Sequence, residues 1–417
     1  MLNQNQIIKL LYIAYIMLSI HSYTGWTTWN PLASTLTFKF IQIIFIFTLL
    51  LYPTFKYNHI WKNCRLKSIK IFNIFTIYTI ILSIYSLLVN TSKIENVDFA
   101  LFWMYIQAML TCIMVYTLIN PRWFYISFRI IFKITPWILI GLMPIAKEDY
   151  WGGVFGFIFR PLMFILIFIS VLNIKNKIFY ICLSIITILL SYFYDARSNL
   201  IIVIVCLLIG LTINTKIYRS YFKHTVWIFI LTPFILFYTG ITGIFNIFET
   251  DKYLKNSTIK KESLTDTRTL VYFEALNSAV NNNYVIFGRG IGRGYQSAYQ
   301  EAKTQDIKTA SARIANERQS EVGILNIFTW GGIIYIIIFS LMYFNAIYIG
   351  VYKSKNKYIR ATSYYLVFYY LYSWIENFQS FSITFISSWF IIALCISPYF
   401  RNMSNQEFEY YINRLTK

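Results

Sequence analysis

The chain has 417 residues, of which 57% are hydrophobic and 20% aromatic but only 13% charged; its mean hydropathy is +0.54. A soluble domain carries roughly a quarter of its residues as charge, so a water-soluble globule is excluded. The apolar residues fall in blocks of about 18 to 22, the length that crosses a bilayer as a helix, which points to a polytopic integral membrane protein. The net charge of +20, from 37 Lys and Arg against 17 Asp and Glu, would suggest nucleic acid in a soluble chain. In a membrane protein it follows from basic residues gathering in cytoplasmic loops, so no nucleic-acid partner is expected.

Taken in chain order, the apolar blocks predict about 12 transmembrane helices, centred near residues 14, 46, 79, 109, 138, 167, 186, 206, 237, 336, 370 and 391. The first block, Ile7 to Ile20, has no small-residue cleavage site after it and reads as a retained span. Every second connection is basic: Lys56 to Lys70, Arg122 to Lys133, Lys175 and Lys177, Lys216 to Lys223, and Lys353 to Arg360. This alternation places both termini in the cytoplasm. The predicted division is helices one to nine over 1–247, a large outer loop over 248–322, helices ten to twelve over 323–400, and a cytoplasmic tail over 401–417. The five cysteines show neither metal spacing nor a disulfide framework,.

The outer loop is the unusual connection. A polar stretch of some 70 residues is uncommon between packed elements and is usually functional,. Thr267 to Asn281 reads as an amphipathic helix with Leu270, Phe273, Ala275, Leu276 and Val280 on one side,. The turn-rich segment Gly288-Arg-Gly-Ile-Gly-Arg-Gly294 follows, and Gln296 to Glu321 is polar with helical character before the tenth span.

Charged groups at membrane depth are costly and mark candidate sites. Arg197, in Tyr194-Asp-Ala-Arg-Ser-Asn199, is either such a site or one half of a local ion pair with Asp195. Arg160 follows a Gly- and aromatic-rich run and is either a ligand-binding or an interfacial anchoring residue. The glycine turn superficially resembles a dinucleotide fingerprint, but it lacks the preceding buried strand and the following helix,. Its glycines would expose backbone N–H groups and its two arginines, Arg289 and Arg293, would add charge. That combination suits a phosphate or pyrophosphate; the plain alternative is a flexible basic turn. Histidine is absent from the loop, so the candidate bases are Glu317 and Glu321, four apart and on one face if helical,. Either they serve as base or they pair with Arg313 and Arg318. Glu376 is a rare charge before the last span, in a pathway or a hairpin turn.

The order Arg268, Gly288-Arg-Gly-Ile-Gly292, Ser320-Glu-Val-Gly-Ile-Leu325 and Gly331-Gly332 resembles the O-antigen polymerase (Wzy) and O-antigen ligase (WaaL) superfamily. Asp195-Ala-Arg-Ser198 is similar to that family's Ser-Arg motif, and the twelve-helix layout with a long loop between helices nine and ten is similar as a whole. The resemblance implies an all-α, GT-C-like fold in the bacterial inner membrane with its active face periplasmic. It implies a metal-independent, cofactor-free glycosyltransferase acting on oligosaccharides linked through pyrophosphate to undecaprenol. Arg197 and Arg268 match the family's pyrophosphate-binding arginines; Arg160, Arg289 and Arg293 are further candidates, and Arg268 is also implied in catalysis. Membrane lipid and a Wzz-type chain-length regulator are the implied partners. A ligase carries a histidine where this chain has Gln319-Ser320-Glu321, which favours polymerase and leaves Glu321, then Glu317, as base. The alternatives are a ligase delivering polymer to lipid A–core and a flippase or transporter. Against the latter, no similarity between the two halves is visible,.

Overall fold

The computed structural model describes residues 3–24, 36–90, 96–142, 163–193, 197–242, 268–297 and 317–416. In order the helices are α1 (Gln4–Thr24), α2 (Leu36–Lys56), α3 (His59–Asn63), α4 (Lys70–Asn90), α5 (Asn96–Leu110), α6 (Val115–Leu118) and α7 (Pro121–Leu142). They continue with α8 (Ile174–Phe193), α9 (Arg197–Thr212), α10 (Lys216–Ile241) and α11 (Arg268–Asn281). The last group is α12 (Gly323–Tyr352), α13 (Lys357–Tyr372), α14 (Ile383–Ile396), α15 (Pro398–Asn402) and α16 (Asn405–Thr416). Among the described residues the extended structure is one antiparallel ladder of two residues a side, β1 (Tyr295–Gln296) with β2 (Glu317–Arg318).

This is an all-α architecture consistent with a membrane protein. Three described helices are long and apolar enough to cross a membrane: Lys67–Val89, Ile174–Phe193 and Gly323–Tyr352. Each predicted centre falls on a helical segment, the one near 167 on the short 3-10 helix Phe164–Phe168. Helix is the natural state of such runs because every backbone polar group must find its partner within the protein when no water is present. The hydroxyls are hidden in the same way: Ser19 and Ser22 donate to Tyr15 O and Leu18 O, and Ser83 and Ser86 to Thr79 O and Leu82 O,.

The bundle centre is aromatic. Phe75 stacks on Tyr335 at 5.9 Å between ring centroids, and Trp389 packs against Phe72, Phe75 and Phe385. The two polar handles there are matched: Trp389 Nε1 donates to Thr111 Oγ1 at 2.9 Å, and the Thr79 and Tyr335 hydroxyls meet at 2.9 Å,. At one end α16 presses Phe408, Ile412 and Leu415 into the bundle. It ties down distant turns, with Tyr411 OH donating to Pro121 O and Asn176 Nδ2 to Thr416 O, both at 2.8 Å.

At the other end α12 is broken. Gly331 (φ −135°, ψ 15°) and Gly332 (φ 65°, ψ −163°) leave helical geometry. In an unbroken helix the Ile333 and Ile334 N–H groups would bond to Thr329 O and Trp330 O. Instead Ile333 N donates to Val285 O at 2.9 Å and Ile334 N to Ile286 O at 3.4 Å, while Arg289 N donates to Thr329 O at 2.8 Å and Gly290 N to Trp330 O at 2.9 Å. The 285–290 turn thus takes up both donors and both acceptors released by the break. Gly288 (φ 71°) and Gly332 lie in the left-handed region, and a Cβ on either would run into the backbone of the other segment,.

Gly332→Ala should therefore destabilise the protein by about 3 kcal/mol, read as a lowered thermal midpoint in detergent. Gly141→Ala, where a Cβ meets nothing within 4 Å, should be neutral or gain up to about 1 kcal/mol. Equal effects would contradict the tight junction. On α3, His59 is buried beside Tyr57 and Trp123, and burial, reinforced by Lys62, pushes its pKa down to about 4. The folded protein keeps this ring neutral while the unfolded chain protonates it below its ordinary value near 6.5. Stability is then full above 6.5 and falls as pH drops towards 4. His59→Gln should flatten that part of the profile of thermal midpoint against pH.

Candidate functional site

The segment carrying α11 is built on the turn between α13 and α14. Tyr272 OH, on α11, donates to Trp374 O at 2.7 Å, and Arg268, the first residue of α11, donates through Nε to Ile375 O at 2.9 Å. Arg268 Nη2 lies 3.6 Å from Glu376 Oε2, and both side chains are about one-third exposed, 30% and 32%. The start of α12 caps itself on the same turn, with Gly323 N donating to Glu376 O at 3.1 Å and Ile324 N to Ser373 O at 2.8 Å. Two of the orphan donors of a helix N-terminus are satisfied in this way.

These contacts bring Arg268 and Glu376 to one rim and set the residues before Gly323 beside it. Asn326 reaches back to fix that approach: Ser320 N donates to Asn326 Oδ1 at 2.8 Å and Asn326 Nδ2 to Ser320 O at 2.9 Å. Glu321, next in the chain, is exposed. Gln319 Nε2 donates to Gly292 O at 2.6 Å, joining the approach to the glycine turn. Burial raises the Tyr272 phenol above its usual range, against the opposing pull of Arg268, so this hydroxyl stays protonated and acts as a donor.

Several expectations are corrected. Gln296 to Glu321 is not one helix: Gln296 pairs with Glu317 and Tyr295 with Arg318 across the ladder. Glu317 and Glu321 therefore share no helical face, because the chain is extended at the first and bent at the second. The glycine turn does not offer a row of open N–H groups. Those of Arg289 and Gly290 bond α12, that of Ile291 donates to Ser86 Oγ at 2.6 Å, and that of Arg293 to Gly290 O at 3.3 Å. Arg289 itself turns inward, Nη1 donating to Gly294 O at 3.0 Å with the guanidinium 5.2 Å from the Tyr284 ring centroid. The apolar side expected for α11 is divided: Ala275 is buried with Val271, Ser278 and Ala279, while Leu270, Phe273 and Val280 are exposed.

Arg293 is half-buried in the turn. Arg197 opens α9, but its side chain, like that of Glu317, lies outside what is described, as do Arg160 and Asp195 altogether. The chain's own sequence pattern did not single out Gln379, whose buried side-chain amide makes no hydrogen bond among the described residues and stands 3.2 Å from where a Cβ of Gly323 would be. Nothing in the sequence sets it apart, because the 373–382 hairpin holds several other polar residues.

Two cavities accompany this arrangement. One of about 10 Å³, between Ile202, Tyr369, Tyr372, Phe378 and Ser387, has room for a single water,. The other, about 280 Å³, is lined by Asn214, Lys357, Tyr358, Glu409 and Asn413. It sits at the start of α13, whereas Arg268 sits beyond its end, a helix length of about 24 Å away. Comparison with family models, with curated proteins and with solved structures finds no match to this chain.

The Arg268–Glu376 contact is long and open to solvent, so Glu376→Gln should change stability by less than about 1 kcal/mol. Tyr272→Phe, which strands a carbonyl beside a buried ring, should cost about 1 kcal/mol. Thermal midpoints in one detergent check both, and a loss above about 3 kcal/mol for Glu376→Gln would mark a buried charge pair instead.

Proposed function

We propose that the chain is a polysaccharide polymerase of the outer-facing, lipid-linked kind: an inverting glycosyltransferase in the inner membrane that joins undecaprenyl-pyrophosphate-linked repeat units at the periplasmic face. The observation that carries this proposal is the placing of Arg268. Its guanidinium is partly exposed and held by a carbonyl and a carboxylate at the rim where α11, the α13–α14 turn and the start of α12 meet. The sequence motifs that resemble the polymerase and ligase superfamily support the reading further, as does the twelve-span topology with both termini cytoplasmic expected from hydropathy and loop charge,.

In the proposed reaction the acceptor sugar hydroxyl attacks the anomeric carbon of the donor repeat. A new C–O bond forms as the bond from that carbon to the pyrophosphate oxygen breaks, so the configuration inverts. Undecaprenyl pyrophosphate departs carrying the bonding electron pair. The hydroxyl proton passes to a carboxylate, Glu321 first and Glu317 second. Arg268, with Arg197 and then Arg160, Arg293 and Arg289 as weaker candidates, offsets the charge that builds on the leaving group. The internal contacts of Arg289 lower its rank. Glu376 sets the angle of the Arg268 guanidinium and is a positioning residue. The chain-length regulator implied by the family would be a separate membrane partner.

The test is the lipopolysaccharide pattern of a deletion strain complemented with wild type, Arg268→Ala or Glu321→Gln at matched protein level. Each variant should lose the ladder, leaving core plus one repeat, with chain growth down at least about 100-fold. A wild-type ladder from both variants would sink the assignment. Core with no repeat attached would point to ligase or flippase.

A further inference from the structure

We propose that α11 and the turn after it form an interfacial element whose apolar face rests in the outer-leaflet lipid. The partner is the bilayer itself, and the inference goes beyond glycosyl transfer. Five large apolar side chains in this short segment are solvent-exposed: Leu270, Phe273, Val280, Ile286 and Phe287, with Phe273 at 63% and Phe287 at 66%. At about 100° per residue, α11 divides into three strips. Val271, Ala275, Ser278 and Ala279 face the protein. Phe273 and Val280 form a second, exposed apolar strip, while Leu270 lies between exposed Asn277 and Asn281 on the polar side. Glu274, which accepts from Ser297 Oγ at 2.9 Å, and exposed Asn281 form a polar edge. A helix with a core side, an apolar side and a polar edge is what an interfacial position demands.

The apolar strip also continues a surface that must meet lipid. Along α12, Ile333, Ile337 and Leu341 are exposed at four-residue spacing on a helix of membrane-crossing length. Ile336 of the same helix packs against the cluster that holds Leu276, Ala279, Tyr284 and Val285. The exposed Ile286 and Phe287 are held at the top of that stripe by the backbone bonds Ile333 N to Val285 O and Ile334 N to Ile286 O. Non-helical backbone is tolerated at membrane depth only where the protein satisfies it. Here the carbonyls of Val285 and Ile286 and the N–H groups of Gly288, Arg289 and Gly290 are all bonded within the protein. The N–H groups of Ile286 and Phe287 make no hydrogen bond among the described residues, so the turn suits an interfacial depth, where its apolar side chains meet acyl chains and its remaining donors meet headgroups or water.

The test uses the full chain in nanodiscs of phosphatidylethanolamine and phosphatidylglycerol. Photoreactive benzoylphenylalanine replaces Phe273, Phe287 or, on the polar edge, Asn281. Irradiation should attach one phospholipid, seen as a mass increase, at the first two positions at least about 5-fold more than at Asn281. Adducts to a second copy of the chain, or lipid yields no higher than at Asn281, would overturn the proposal. Both phenylalanines are exposed, so folding should survive; if the Phe287 variant is not recovered, the Phe273 variant decides alone. The readout needs no turnover, so it stands or fails separately from the proposed reaction.

Discussion

Four backbone hydrogen bonds across the break at Gly331–Gly332 hold the segment of α11 and its following turn to the bundle. A helix interrupted in an apolar setting exposes two donors and two acceptors, each costing several kcal/mol if left alone. The 285–290 turn supplies a matching set, so the break and the turn exist only as a pair. The geometry tolerates no Cβ at Gly288 or Gly332 because the two backbones touch there.

The placing of the charged residues follows from that junction. With the turn clamped to α12, α11 must lie across the α13–α14 hairpin, and Arg268 meets Ile375 and Glu376. The N-terminus of α12 is capped by the same hairpin, which carries Glu321 to the rim. The opposite end of the bundle is locked by different means, the aromatic and hydrogen-bonded docking of α16. Among the described residues this leaves a partly exposed arginine at a polar rim, the placement on which the proposed reaction rests.

Much of the frame was legible in sequence because hydropathy blocks report helices directly: the apolar runs around residues 14, 46, 79 and 186 lie in α1, α2, α4 and α8. Arg268 at the head of a helix was legible too, since the apolar period begins there. The Gln296–Glu321 stretch misled because polar, helix-tolerant residues carry no period, and a two-residue ladder is set by tertiary contact rather than by propensity,. The glycine turn misled for a related reason. Gly-x-Gly spacing announces tight backbone approach, but whether a phosphate or a broken helix approaches depends on Gly331 and Gly332, some 40 residues further on,. The division of α11 into core, apolar and polar strips could not be read from one hydrophobic side, because small residues, Ala275 and Ala279, turned out to mark the packed face.

The most direct measurement is reconstitution of the purified chain in liposomes with a synthetic pyrophosphate-linked repeat unit on an undecaprenyl carrier. Polymerase activity predicts products of two or more repeats, one undecaprenyl pyrophosphate released for each new linkage, and an inverted anomeric configuration at that linkage. Movement of the substrate across the bilayer with no extension, or no release of the carrier, would contradict it.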